Sequence, residues 1–278
     1  MNSLFGDWVD NINNLSKDYI TNKPYPYVII PNFLNKTFID NIYNEYLECS
    51  NDLSDWHLYN NPLEVKYAYD NINSCGENIK KLFKLYSSKE SIELFNRLTD
   101  NKNLEYDSTL HGCGLHLMPK NGRLAVHLDY EKHPILENKQ RKINIILYLN
   151  KEWKSDWNGS TELWNKDCNI CSVESPIVYN TAIIFQTNDI SWHGVPGKIN
   201  CPDNESRKSI AYYYISELEN NPDNNKIGNN GSGYRQKATY INNTSYKEID
   251  EFIKIRPLRR IEQHDILQIW PDWNSEKY

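Results

Sequence analysis

The chain has 278 residues, enough to bury a substantial core, and its 31 Lys and Arg stand against 37 Asp and Glu for a net charge of -6. That balance makes non-specific nucleic-acid binding through a basic face not the default expectation. Six cysteines are too few for a disulfide framework, no apolar run approaches the length of a membrane span, and Met1–Trp8 lacks a basic stretch followed by an apolar one, so a cytoplasmic protein with no membrane segment is expected.

Residues 1–22 read as a short polar helix or a loosely attached arm. Tyr25 to Ile30 lies between prolines, which bias their predecessors to extended geometry, and reads as a strand. Asn35 is a fitting N-cap for a helix with Phe38, Ile39, Ile42, Tyr43 and Tyr46 at helical spacing. Further helices are expected over Asn78 to Tyr86 and Lys89 to Leu98. From about residue 104 short β-rich runs alternate with Gly, Asn, Pro and Asp. The expected strands are 110–118, 124–128, 143–149, 160–164, 177–179, 182–187 and 209–215. No helix separates these strands, which favours a sandwich or barrel over a doubly wound sheet. Asn220 to Asn243, rich in Asn and Gly, reads as a long loop. Ile249, Phe252 and Ile253 form a helical stripe, and Ile266, Ile269, Trp270 and Trp273 suit a docked tail.

Three residues in the middle of the chain carry the chemistry. His127 and Asp129 stand two apart in a strand, and a period of two projects both to one side. His193 follows a strongly apolar strand. Two imidazoles and one carboxylate on one face of a metal leave the opposite positions open, a set suited to Fe(II), Mn(II) or Zn(II). His-x-Asp also occurs as an ordinary polar pair at a strand end, so order and context carry the reading rather than the motif alone. Arg207 and Ser209 share a strand face. A guanidinium entering an apolar barrel needs an anion, and a dicarboxylate cosubstrate supplies one. Tyr148, a phenol in an apolar strand, needs a hydroxyl partner, either the same carboxylate or a core neighbour. Cys168 and Cys171 have metal-type spacing but no second ligand pair, and read as reduced thiols. Arg256-Pro257-Leu258-Arg259-Arg260 reads as a solvated helix end or a partner contact.

Together these pieces resemble the 2-oxoglutarate- and Fe(II)-dependent dioxygenases, specifically the prolyl 4-hydroxylase-like branch. In order they are His127-Leu128-Asp129, Leu147-Tyr148-Leu149-Asn150, Asn158-Gly159-Ser160-Thr161-Glu162-Leu163-Trp164, His193-Gly194-Val195 and Arg207-Lys208-Ser209, preceded by Tyr25 to Leu34. The resemblance implies a mainly β fold with a double-stranded β-helix (jelly-roll) core and packed helices. The core would span 104–218, with segment 1–103 packed on it, a loop over 219–245 and a docking tail over 246–278. It implies iron held by His127, Asp129 and His193. It implies 2-oxoglutarate with its far carboxylate on Arg207, helped by Tyr148 or Ser209, and O2 as oxidant with ascorbate as a possible reductant. Asp129 fits a hydroxylase rather than a halogenase. The chain departs from the pattern at Met118-Pro119, at Asn158-Gly159 and in the longer stretch from Pro196 to Ser206. His111 and His116 are expected beside the site rather than as ligands. Trp192, Trp164 and the loop 130–141 are expected as substrate walls, the loop as a lid. The substrate reading is a peptide or protein, with a small molecule, sugar or lipid as the alternative. A non-catalytic cupin-like metal binder is the alternative outside enzymes.

Overall fold

The computed structural model describes residues 4–219, 235 and 237–278. A short 3-10 turn precedes α1 (Ile12–Thr21), then come β1 (Tyr27–Ile30), α2 (Lys36–Ser50), β2 (His57–Asn61), β3 (Glu64–Tyr69), α3 (Glu77–Tyr86) and α4 (Lys89–Thr99). The remaining strands are β4 (Glu105–Tyr106), β5 (Gly114–Pro119), β6 (Arg123–Leu128), β7 (Lys139–Tyr148), β8 (Thr161–Trp164), β9 (Cys171–Ser175), β10 (Thr181–Gln186), β11 (His193–Val195), β12 (Ser206–Glu217) and β13 (Thr239–Tyr240). Helices α5 (Glu248–Ile255) and α6 (Gln263–Ile269) end the chain. No helix among the described residues is long and apolar enough to cross a membrane.

All the strands join one antiparallel sheet, with the path β1-β10-β7-β12-β5-β3-β6-β11-β8-β9. It curls into a nearly closed jelly-roll barrel. β7 and β12 show why it holds both a core and a cavity. On β12, Ile210, Tyr212 and Tyr214 pack among the helices, whereas Arg207, Ser209, Ala211 and Tyr213 face the barrel interior. On β7, Ile143, Ile145 and Leu147 take the helical side and Asn144 and Ile146 the interior. One face of each strand thus builds the protein and the other builds the site.

The helices form as the sequence indicates. The Asn35 side chain accepts from Phe38 N at 2.8 Å and the Ser88 side chain from Ser91 N at 3.2 Å, each relieving a helix N-terminus of an orphan donor. The first residues are no loose arm. Trp8 stacks on Phe33 at 5.5 Å and donates to its carbonyl at 2.8 Å, and Phe5 lies edge-on to both rings. β2 and β3 have no counterpart among the expected strands, because their polar and aromatic residues do not alternate cleanly. With β1 they enter the same sheet, so residue 104 marks no break in it. The strand expected over 177–179 is not formed. Ile177 is buried as a core residue, but the ladder partner of β8 is β9, closed by a turn in which the Asn165 side chain accepts from Asn169 N and Ile170 N.

Of the loop expected over 220–243, residues 220–234 and 236 lie outside the described residues. Beyond them the chain is ordered: Thr239 and Tyr240 pair with Leu128 and His127 of β6. The tail then docks through Ile249, Phe252, Ile266 and Trp270 around Leu63 and Tyr240.

Candidate active site

His127 lies near the end of β6 and Asp129 directly follows it, and His193 opens β11 directly across from His127 in the ladder. This close pairing requires Gly194, since a Cβ there would lie 2.8 Å from Leu124 O. Each imidazole Nδ1 donates to a backbone carbonyl two residues back, His127 to Ala125 at 2.9 Å and His193 to Ser191 at 2.8 Å. Those bonds set the tautomer and leave both Nε2 lone pairs turned inward. His127 Nε2 lies 3.7 Å from Asp129 Oδ1, and His193 Nε2 lies 3.6 Å from Asp129 Oδ2. All three donor atoms fall within 4.8 Å of one another, and all three residues are buried.

Asp129 tests whether a cation fits. Its Oδ1 is paired with Arg141 Nη1 at 3.0 Å, while its Oδ2 is buried with no hydrogen-bond partner among the described residues. A buried carboxylate oxygen left bare beside two imidazole lone pairs is costly, and a divalent cation relieves that cost. Burial pushes the Asp129 carboxyl up, but Arg141, His193 and His127 outweigh it and hold the group well below the usual carboxylate range. His193 is pushed down to about 4, by burial and then by His127, so it is a neutral donor near neutral pH. The three residues fit a metal.

Arg141 was not singled out by the sequence. It was grouped with the loop 130–141, but it lies in β7, where a Lys/Arg-rich start hid the strand's true extent. Its guanidinium is sandwiched between Tyr130 and Tyr213, 3.8 Å and 3.4 Å from the ring centroids. The loop itself is anchored rather than poised as a lid. His133 Nε2 bonds Asp107 at 3.0 Å, and His133 Nδ1 accepts from Ile135 N and Leu136 N. Arg235 ties the loop from the other side, donating to Asp129 O at 2.9 Å while pairing with Asp189 at 2.8 Å. One guanidinium thereby spans the segments that present Asp129 and His193. Nothing in the local sequence marks Arg235 for this position.

Arg207 is 3% exposed. It donates from Nε to Gly159 O at 2.8 Å, from Nη1 to Ser209 Oγ at 3.1 Å and from Nη2 to Thr161 Oγ1 at 3.0 Å. Gly159 has φ +92°, a conformation only glycine adopts freely, and this turns its carbonyl toward the arginine. Among the described residues no carboxylate lies within ion-pair distance of Arg207. Tyr148 donates to Thr161 Oγ1 at 2.7 Å, and its ring lies 5.2 Å from the guanidinium carbon. The phenol is therefore committed to Thr161, which the sequence did not single out although Asn158 to Trp164 contains it.

One cavity of ≈ 730 Å³ joins these groups, lined by His127, Asp129 and His193 and by Arg207, Ser209 and Thr161. Met118, Asn144, Ile146 and Tyr213 complete its walls. His111 and His116 also line it without joining the metal cluster, and burial with Lys66 and Arg207 pushes His116 down to about 3. Trp192 and Trp164 do not line it. They pack with Val126, Leu128 and Cys168 behind the site, because the indole of Trp192 is held by Lys166 O. Tyr240 covers β6 instead, stacked on His127 at 5.2 Å. The six cysteines are free thiols, and Cys168 and Cys171 join no metal cluster among the described residues.

Residues 113–215 match the family model described as the 2OG-Fe(II) oxygenase superfamily. No curated protein matches the sequence. Among solved structures, the fold is similar to a Pseudomonas putida prolyl-4-hydroxylase, at 14% identity and TM-score 0.55 over 75% of this chain and 100% of that one. It is similar to a Trichoplax adhaerens prolyl hydroxylase in complex with a hypoxia inducible factor peptide, at 16% identity and TM-score 0.56 over 78% of this chain and 96% of that one. It is also similar to the epimerase SnoN in complex with Fe3+, alpha ketoglutarate and nogalamycin RO, at 11% identity and TM-score 0.51 over 76% of this chain and 87% of that one.

Proposed function

We propose, from the match of residues 113–215 to the 2OG-Fe(II) oxygenase superfamily model, that this chain is a member of that superfamily and a prolyl hydroxylase-like enzyme acting on a peptide or protein. His127, Asp129 and His193 would hold Fe(II). Arg207 takes the far carboxylate of 2-oxoglutarate. The single observation that carries this reading is a buried, charge-unpaired guanidinium opening on the same cavity as the ligand triad. Such a cation is tolerated when a ligand anion completes it.

Bound there, iron and 2-oxoglutarate supply the oxidising chemistry, consuming O2 and releasing CO2 and succinate as a C–H bond is hydroxylated; ascorbate is proposed as the reductant that keeps the iron ferrous. The chain supplies orientation and exclusion of water. Thr161 Oγ1 accepts from both Tyr148 and Arg207, so its own proton is free to turn toward the cosubstrate. Tyr148 thus acts by orienting Thr161. Arg141 holds Asp129 Oδ1, which aims Oδ2 at the metal. Ile146 and Met118 keep the walls apolar between the charged ends.

A small-molecule substrate is the second reading, favoured by a cavity volume within the usual range for small ligands. The test is anaerobic binding of Fe(II) and 2-oxoglutarate, followed by succinate release on admitting O2 with proline-containing peptides. Peptide-dependent succinate release is expected, and Asp129→Ala abolishes it. Binding of both cofactors with no succinate above background for any peptide would overturn the peptide reading and leave the small-molecule one.

A further inference from the structure

The mouth of the cavity carries a charge opposite to that of the chain. Seven Lys or Arg side chains line the cavity against three Asp or Glu. Three of the cations have assignments already: Arg141 on Asp129, Arg207 on the cosubstrate, and Arg259 closed by both oxygens of Asp265. Lys66, Lys237, Arg256 and Arg260 remain. Glu64, 3% exposed, is shared by Lys66 at 3.4 Å and Arg256 at 3.6 Å. Among the described residues Arg260 and Lys237 have no carboxylate partner: Arg260 bonds His57 Nε2 at 3.1 Å, and Lys237 bonds a backbone carbonyl. Asp70 also lines the cavity, so two carboxylates stand among four cations and the wall keeps a net positive charge in a chain of net charge -6.

The cluster is built, not scattered. Lys66 and Arg260 lie over the same Tyr59 ring, 5.1 Å and 5.7 Å from its centroid. Arg256 lies 5.8 Å from the centroid of Tyr240, the ring that stacks on His127. Anchoring on aromatic faces holds like charges together on one wall and leaves their remaining donors turned outward. It also sets Arg256 two ring contacts from His127, through Tyr240.

We propose that Lys66, Lys237, Arg256 and Arg260 form an anion-recognition site that selects a polypeptide substrate with acidic residues flanking the hydroxylated position. This deepens the hydroxylase reading and rests on it for where the reacting residue sits. An extended chain rises about 3.3 Å per residue, so acidic side chains roughly two to four residues from the reacting one reach the cluster. Two features favour a polypeptide over a nucleic acid. Buried Glu64 in the middle of the cluster repels a continuous phosphate backbone. The wall also includes β2, which among the described residues pairs only with β3 and so offers a free edge to an extended peptide.

The test is fluorescence anisotropy with the full chain, Fe(II) and 2-oxoglutarate under argon. The probes are a labelled proline-centred peptide with glutamates flanking the proline, the same peptide with glutamines, and a single-stranded oligonucleotide of equal length. The glutamate peptide is expected to bind about tenfold tighter than the glutamine peptide, with the difference shrinking as salt is raised. Arg260→Glu is expected to abolish or invert the preference, and Lys237→Gln to reduce it. Circular dichroism melts report whether each variant folds. Equal binding of the two peptides, including no measurable binding of either, overturns the proposal, as does tighter binding of the oligonucleotide. Failure of the hydroxylase reading shows separately, as absence of succinate when O2 is admitted.

Discussion

Arg207 is stable only in the sense that its hydrogen bonds are made; its charge is not matched by any described side chain. Replacing it with an apolar residue removes a costly desolvation together with the proposed cosubstrate anchor. Arg207→Met is therefore expected to leave the thermal midpoint of the ligand-free protein unchanged or raised. In the same variant 2-oxoglutarate affinity falls at least about tenfold while Fe(II) binding persists, as read by calorimetry. Wild-type cosubstrate affinity in the variant would remove Arg207 from the site. Arg141 predicts the reverse pattern. Arg141→Leu leaves the buried Asp129 carboxylate without its paired charge, so ligand-free stability drops by about 3 kcal/mol in urea unfolding. Added Fe(II) restores part of that loss, since the cation then balances Asp129 alone. The two arginines are chemically alike, and only their partners separate a structural role from a binding one.

At the scale of elements, two short strands do the positioning. β6 presents His127 and Asp129 on one face, and β11 places His193 opposite His127, so the ladder itself fixes the imidazole separation. The sequence shows the β6 pair plainly, because a period of two needs no distant contact. β13 covers the outer edge of β6 through Tyr240, a placement invisible in an Asn- and Gly-rich stretch. The tail that follows, docked through its apolar residues, is also held by the Arg259–Asp265 ion pair. Asp265 accepts Glu262 N at the start of α6 and is held by both terminal nitrogens of Arg259, and this pairing lowers its pKa to about 2. An unfolded Asp titrates near about 3.9, so the folded tail gains stability above about pH 4 and loses it as pH falls toward 2. Hydrogen exchange is expected to show α6 amides losing protection in that window. Asp265→Asn removes this pH step and weakens α6 protection at neutral pH; a step of the same size in the variant would place the titrating group elsewhere.

For the whole molecule, the barrel is a scaffold with one face of each strand spent on the helices and the other on a charged interior. That interior holds uncompensated groups of both signs, Asp129 Oδ2 at one end and Arg207 at the other. Ligands that bind only the folded state stabilise it by mass action, about 2.7 kcal/mol at a hundredfold excess over Kd. Fe(II) with 2-oxoglutarate is thus expected to raise the melting midpoint by about 5 °C or more, and a chelator to reverse the shift. No shift with the metal present would count against His127, Asp129 and His193 as its ligands.

Local chemistry was enough for the helix cap at Asn35, the His127 and Asp129 pair, and the shared face of Arg207 and Ser209. Each of these depends on residues within four positions along the chain, where periodicity and side-chain reach decide the outcome. The resemblance of the pieces from His127 to Ser209 carried the expectation of a jelly-roll core, and residues 113–215 match the 2OG-Fe(II) oxygenase family model. Tertiary structure alone decided that Arg141 clamps Asp129, that Thr161 stands between Tyr148 and Arg207, that Arg235 ties the two ligand-bearing segments, and that the C-terminal arginines face the cavity mouth. Those pairings join residues far apart in sequence, and a buried charge finds its partner by the path of the sheet, which no local pattern encodes.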